Sequence, residues 1–224
     1  MNDRGIFFDF DYTLGDSTPA IAEGYRLGFA ALGLTPPTVE QVRTTVGHTL
    51  ADGYVMLTGD HDLSRQEAFC RTFQETVGVK ADGEGRRLMI EGTTLFPGAE
   101  ELLEALKHAG VRTAIVSTKP GDTIRRIFDH LGRLDLLDLV VGGDEVQHAK
   151  PNPEGLRLAL EKLGLQAEQV LFCGDTVIDA ATAQAGRCRF CAVLNGTTGA
   201  PAFERFPCVH IAPDLMELKT WLNV

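Results

Sequence analysis

The first apolar run of this chain ends in Asp9-Phe10-Asp11-Tyr12-Thr13-Leu14, which sets two carboxylates two residues apart. On a strand, residues i and i+2 point the same way, so the two charges would face each other and repel. A divalent cation would relieve that repulsion. A second long apolar run ends at Ser117, followed by Thr118 and Lys119. Hydroxyls and backbone N–H groups at a strand end can hold phosphate oxygens. Further on, Lys150 stands in Ala149-Lys150-Pro151-Asn152-Pro153, where two prolines stiffen the chain just ahead of a helix start. Another run ends in Gly174-Asp175-Thr176-Val177-Ile178-Asp179, and a helix starting there would carry the two acids at i and i+4 on one face. Hard carboxylate oxygens in this number suit Mg²⁺, which keeps several waters and accepts substrate phosphate. Each fragment also has an ordinary explanation: a solvated acidic turn, a loop hydroxyl, a solvated lysine, an aspartate that caps a helix. Their order, and their common place after strand-like runs, favour chemistry.

The elements that must position them can be read from periodicity. Gly5 to Phe10, Val111 to Ser117, Leu139 to Val141, Val170 to Cys173, Phe190 to Leu194 and Val209 to Ile211 are short apolar runs of strand character. Between them Leu102, Ala105, Leu106 and Ala109 repeat at helical spacing, as do Ile124, Ile127, Phe128 and Leu131, and Leu156, Ala159, Leu160 and Leu163. Gly110, Gly132 and Gly164 follow as stop signals. Alternation of this kind predicts an α/β fold, a doubly wound parallel sheet with helices on both faces and ligands beyond the carboxyl ends of the strands. From Ser17 to Thr93 the pattern is helical only. Tyr25, Gly28, Phe29 and Leu32 share a helical stripe, Phe69 and Phe73 mark another helix, and Leu34-Thr35-Pro36-Pro37 and Gly83-Glu84-Gly85 read as punctuation. The expected organisation is a core of residues 1–16 and 94–224 with a helical domain, 17–93, inserted after the first strand.

Bulk properties narrow the function. The net charge of −10 and pI of about 5.0 oppose binding to nucleic acid or an anionic membrane, yet leave room for a small anionic substrate where a local cation reverses the field. No run of about 18 apolar residues exists, and the opening Met-Asn-Asp-Arg-Gly lacks the character of a secretory signal, so a cytoplasmic monomer or homodimer is expected. Five scattered cysteines are not a disulfide framework. Cys188 and Cys191 have C-x-x-C spacing without a second pair at zinc spacing, so flanking a buried strand is the simpler role.

With these residues in view, the chain resembles the haloacid dehalogenase-like superfamily in its phosphatase branch. Asp9-x-Asp11-x-Thr13, Ser117, Lys150 and Gly174-Asp175-x-x-x-Asp179 match its four motifs in order, from Phe7 to about Gly186. Val116-Ser117-Thr118-Lys119-Pro120 is similar to the wording of the phosphoglycolate phosphatases, and the helical insertion resembles the family's cap. The resemblance implies a phosphoric monoester hydrolase acting on a small phosphorylated metabolite. In it Asp9 is the nucleophile that forms an aspartyl-phosphate, and Asp11 is the proton donor and then acceptor, oriented by Thr13. Mg²⁺ is held by the Asp9 carboxylate, the Asp11 carbonyl and Asp175, with Asp179 nearby or acting through water. Ser117, Thr118 and Lys150 bind the phosphoryl group. Cap residues set the substrate, with Tyr25, Arg26 and His48 as candidates. Tyr12 stands where the family most often has glycine, so it is expected to take an ordinary conformation or lean into the site entrance.

The motifs leave open a β-phosphoglucomutase-like mutase or an inorganic pyrophosphatase of the same superfamily. A response-regulator-like phospho-acceptor domain would need neither the insertion nor Asp11. A metal-binding structural role for Cys188 and Cys191 ranks last.

Overall fold

Ile6 and Phe8 of the central strand face one side of a sheet and Phe7 faces the other, each fully buried. This alternation, repeated in neighbouring strands, requires helices on both faces. The computed structural model describes residues 4–78 and 80–224. Its elements are β1 (Gly5–Phe8), β2 (Gly15–Asp16), α1 (Thr18–Ala31), α2 (Val39–Arg43), α3 (Leu50–Thr58), α4 (Leu63–Thr76), α5 (Gly83–Glu91), β3 (Thr94–Leu95), α6 (Ala99–His108), β4 (Arg112–Val116) and α7 (Gly121–His130). The chain continues through β5 (Leu139–Val141), α8 (Glu154–Leu163), β6 (Val170–Gly174), α9 (Val177–Gly186), β7 (Arg189–Val193), β8 (Cys208–Ala212) and α10 (Leu215–Leu222).

Six strands form a parallel sheet in the order β5-β4-β1-β6-β7-β8, with β2 and β3 as a separate pair. From β1 the chain winds outward through β4 and β5, then returns to the other side of β1 for β6, β7 and β8. This reversal opens a crevice at the carboxyl end of β1, the place where such sheets bind ligands. Leucines, isoleucines and Phe128 from α6, α7 and α10 cover one face. Leu156, Ala159 and Leu160 of α8 and Ala180 and Ala183 of α9 cover the other. The stop glycines Gly110, Gly132 and Gly164 all have positive φ, a conformation that glycine adopts without steric cost. The expected α/β doubly wound fold is what the structure shows.

The chain divides into two compact units, the segment ending at Asp16 together with Leu95–Val224, and Ser17–Thr94. The second unit consists of α1 to α5 around an aromatic cluster of Tyr25, Phe29, Tyr54, Phe69 and Phe73. Gly83-Glu84-Gly85, expected as punctuation, opens α5 instead: Asp82 stands at its N-cap position and Glu84 in its first turn. Among the described residues no helix is long and apolar enough to cross a membrane.

Candidate active site

Asp9 lies one residue beyond β1, and its backbone N–H continues the ladder by donating to the Cys173 carbonyl at 2.9 Å. Ser117 lies one residue beyond β4 and is tied likewise to the Val141 carbonyl at 3.1 Å. Asp175 follows β6, and Lys150 comes from the segment between β5 and α8. Strands therefore deliver Asp9, Ser117 and Asp175 to one end of the sheet, and the loop after β5 brings Lys150 to them. Asp9, Asp175 and Asp179 are all buried, and their ligand oxygens lie within 4.8 Å of one another. The Lys150 ammonium reaches into this group, 2.6 Å from Asp179 Oδ1 and 2.9 Å from Asp9 Oδ1.

One buried cation faces three buried carboxylates. Burial raises the Asp9 carboxyl to about 6; Lys150 opposes the shift, Asp179 adds to it, and a hydrogen bond from Ser117 opposes it. Asp175 is raised well above the carboxylate range by burial and then by the charges of Asp179 and Asp9. Burial works against the charge of Lys150, but Asp179 and Asp9 outweigh it and hold the ammonium above the usual lysine range. The Lys150 ammonium meets Asp9 Oδ1 as a close charge that is poorly aligned for a hydrogen bond, so this oxygen has no hydrogen-bond donor although it is buried. An orphaned carboxylate oxygen beside two further carboxylates fits a hard divalent cation such as Mg²⁺.

Asp175 and Asp179 meet by a route other than the expected shared helix face. Asp175 precedes α9, whose N-cap is Thr176. Asp179 turns back to that cap: its Oδ2 accepts from the Thr176 hydroxyl at 2.6 Å and backbone N–H at 3.1 Å, leaving Oδ1 for Lys150. The capping role and the ion pair are thus two edges of one carboxylate. A Cβ on Gly174 would lie 2.4 Å from the Asp179 Cβ, so this approach needs glycine there.

The turn after β1 differs from expectation in three ways. Asp11 lies beyond the strand end, so it does not share a strand face with Asp9; its carboxylate is ion-paired with Lys119 instead, with Nζ 3.2 Å from each oxygen. Thr13 does not orient Asp11; its hydroxyl donates to Asp175 Oδ1 at 3.2 Å, bridging 162 positions of sequence. Tyr12 is not in an ordinary conformation: its φ is 60° and its side chain is buried. Backbone N–H groups of Thr13, Leu14 and Gly15 converge on the Phe10 carbonyl, and the Tyr12 N–H donates to Gly15 O at 2.8 Å. That network holds Tyr12 against a left-handed cost of about 1–2 kcal/mol.

Two residues the sequence reading passed over belong here. Asn195 donates its amide to the Thr13 carbonyl at 3.1 Å. A Cβ on the next residue, Gly196, would sit 2.0 Å from Asp175 Oδ2, so only glycine lets the loop after β7 pass that carboxylate. Thr118 is half-buried in the loop after Ser117. Cys188 and Cys191 belong to clusters on opposite faces of the sheet, which rules out a common ligand, and burial pushes the Cys188 thiol up to about 12.

The other expected substrate residues lie in the helical unit. Tyr25 is a core residue of that unit, 5.0 Å from Phe69 between ring centroids, with its phenol raised to about 12 by burial. Its packing leaves no free edge for a substrate, which corrects that expectation. Arg26 is exposed and paired with Glu23 at 2.6 Å. His48 is exposed, just ahead of the Thr49 cap of α3.

Comparison with known proteins identifies the family of the chain. A family model described as haloacid dehalogenase-like hydrolase matches residues 6–193. The phosphoglycolate phosphatase of Salmonella paratyphi A is 34% identical over 206 residues, covering 84% of this chain and 80% of that protein. That of Pectobacterium atrosepticum is 34% identical over 201 residues, covering 90% and 84%. Among solved structures, a haloacid dehalogenase-like chain from Bacteroides fragilis superposes with a TM-score of 0.89 at 35% identity, covering 96% of this chain and 99% of that one.

Proposed function

Since this chain belongs to the haloacid dehalogenase-like hydrolases, we propose that it is a Mg²⁺-dependent phosphatase that hydrolyses phosphoglycolate or a close analogue through a phosphoryl group carried on Asp9. The chain is a phosphoric monoester hydrolase; the cation, the intermediate and the substrate are the proposal. The observation that carries it is the buried group of Asp9, Asp175 and Asp179 around Lys150. Asp9 is the acid closest to the carboxyl end of the central strand and has one oxygen without a hydrogen bond. The Asp9 carboxylate oxygen not given to the cation attacks phosphorus; the P–O bond to the organic group breaks, and Asp11 gives its proton to the leaving oxygen. Water then attacks the acyl phosphate, Asp11 takes the proton of that water, and Asp9 is restored. Ser117 and Lys150 hold the phosphoryl oxygens while charge redistributes. Asp9 and Asp175, with the Asp11 carbonyl and with Asp179 nearby or through water, would hold Mg²⁺, which would supply positive charge against those oxygens.

The test is phosphate release from a panel of phosphorylated metabolites, with and without chelator. Release from phosphoglycolate that disappears in chelator is expected. Full activity in chelator, or isomerisation of a sugar phosphate primed by a bisphosphate in place of phosphate release, overturns the reading. Binding has a readout of its own. Protons and cation compete for the same carboxylates, so Mg²⁺ is expected to raise the melting temperature more at pH 7.5 than at pH 5. An equal shift at both pH values excludes these ligands. Gly196→Ala should push on Asp175 and raise the Mg²⁺ concentration needed for half activity about 10-fold or more, with a small change in metal-free melting. An unchanged Mg²⁺ requirement would show that the loop yields instead.

A further inference from the structure

Helix α7 starts on Pro120-Gly121, and Pro120, which stands at the N-cap position, has no side chain that accepts a hydrogen bond. The acceptor comes from another loop. Asp144 Oδ1 takes the Gly121 N–H at 2.7 Å across 23 positions, and the neighbouring Gly143 N–H donates to the Lys119 carbonyl at 3.1 Å. The two backbones touch along this seam. A Cβ on Gly142 would lie 2.0 Å from the Gly121 nitrogen, and one on Gly143 would lie 2.4 Å from the Thr118 carbonyl oxygen. Beyond the seam Arg125 of α7 donates to Glu145 Oε1 at 2.7 Å and to the Val140 carbonyl at 2.6 Å. The segment from Ser117 to Gly121 is therefore held at both ends, by the Ser117 N–H on the Val141 carbonyl and by Asp144 on the Gly121 N–H. Asp144 itself is exposed, so its carboxylate is not there to fill a core.

We propose that Asp144 is a positioning residue for phosphoryl transfer: by capping α7 from the adjacent loop it fixes the segment that carries Ser117. The inference rests on the phosphatase reading and on Ser117 holding a phosphoryl oxygen. The Ser117 hydroxyl accepts the Lys119 N–H at 3.3 Å. With a lone pair engaged there, it turns its proton toward Asp9, the side from which phosphorus is attacked. The direction of that proton thus depends on where the Lys119 N–H stands. Lys119 is tied by its carbonyl to Gly143, and the next donor along the chain, Gly121, is tied to Asp144. Pro120 between them has no N–H to offer. Without the Asp144 carboxylate the Gly121 N–H has no acceptor, the start of α7 is released, and the Lys119 N–H is no longer held in place under the hydroxyl.

The experiment measures kcat and KM for p-nitrophenyl phosphate in saturating Mg²⁺, well below the melting temperature. Asp144→Ala is expected to lower kcat about 10–100-fold, the range for a group displaced by up to about 1 Å, with a smaller change in KM. Asp144→Asn, whose amide oxygen accepts the same N–H without the charge, should keep most of the wild-type kcat. An equal loss in both variants would assign the effect to charge and overturn the proposal. A cap that serves stability alone would lower the melting temperature of Asp144→Ala by about 2–4 °C and leave kcat unchanged, which also overturns it. The readout particular to positioning is the Ser117→Ala background. There Asp144→Ala should cost little further kcat, because the residue through which it acts is gone; a full further loss refutes action through Ser117. Should Asp144→Ala not fold, Asp144→Glu takes its place: it keeps the charge and shifts the acceptor by one methylene, and wild-type kcat in that variant refutes the proposal. Active wild type beside an equally active Asp144→Ala removes only the role of Asp144, whereas failure of wild type to hydrolyse any phosphate ester with Mg²⁺ overturns the phosphatase reading and the inference with it.

Discussion

Replacing Asp9 by asparagine is expected to lower turnover of p-nitrophenyl phosphate by about 10⁴-fold or more, because an amide is a far weaker nucleophile toward phosphorus. The same change should make the metal-free protein more stable, an outcome that a merely damaging mutation would not give. The Asp9 carboxyl is raised from 3.8 to about 6, chiefly by burial. Its folded form therefore binds a proton more tightly than its unfolded form. Stability falls as pH rises from about 4 through 6, and above that the full cost is present. A neutral side chain removes that cost, a gain of at most about 3 kcal/mol at pH 7.5 that fades toward pH 4. Lys150 keeps Asp179 as a partner at 2.6 Å, so the substitution does not strand the cation. Thermal melts in chelator at both pH values, paired with turnover in Mg²⁺, check the two halves. Activity near wild type would end the nucleophile assignment, and a lower melting temperature at pH 7.5 would show that Lys150 outweighs burial at this position.

The inner strands β1, β4 and β6 were legible because each is a short apolar run buried on both faces, and a residue just past such a run must lie at the sheet's edge. That reasoning alone leads to Asp9, Ser117 and Asp175. Side-chain pairing across the sequence left no such mark. Thr13 and Asp175 are 162 positions apart, and Asp11 and Lys119 are 108 apart. Which hydroxyl or lysine serves which acid depends on the turn after β1, whose path follows from three N–H groups gathered on one carbonyl. The need for glycine at 196 likewise arises only once the loop after β7 is laid against Asp175. Tyr25 is a different case, since its helical stripe with Phe29 already signalled a core position.

Lys150 is where stability and chemistry are expected to separate most clearly. Its ammonium is buried between Asp9 and Asp179, with 5% of its side chain exposed. Lys150→Met keeps the length of the side chain and removes the charge, leaving Asp9, Asp175 and Asp179 buried together without a counterion. Breaking a buried ion pair from one side costs about 3–5 kcal/mol, since the abandoned charge has neither partner nor water. The loss should be largest at high pH, where more of these carboxyls are ionised, and should shrink as pH falls and protons take over the role of the lysine. A cation held by the same three acids would compensate in part, so Mg²⁺ should raise the melting temperature of Lys150→Met by more than that of wild type. Turnover should not recover with it: a cation among the carboxylates does not replace the ammonium proposed to hold a phosphoryl oxygen, and a loss of about 10²–10³-fold is expected at saturating Mg²⁺. Melting curves across pH in chelator and in Mg²⁺, set beside turnover of the same samples, measure both effects. Wild-type melting of Lys150→Met in chelator at pH 8 would mean that the acids relieve one another by sharing protons, and the lysine would then be needed for chemistry alone.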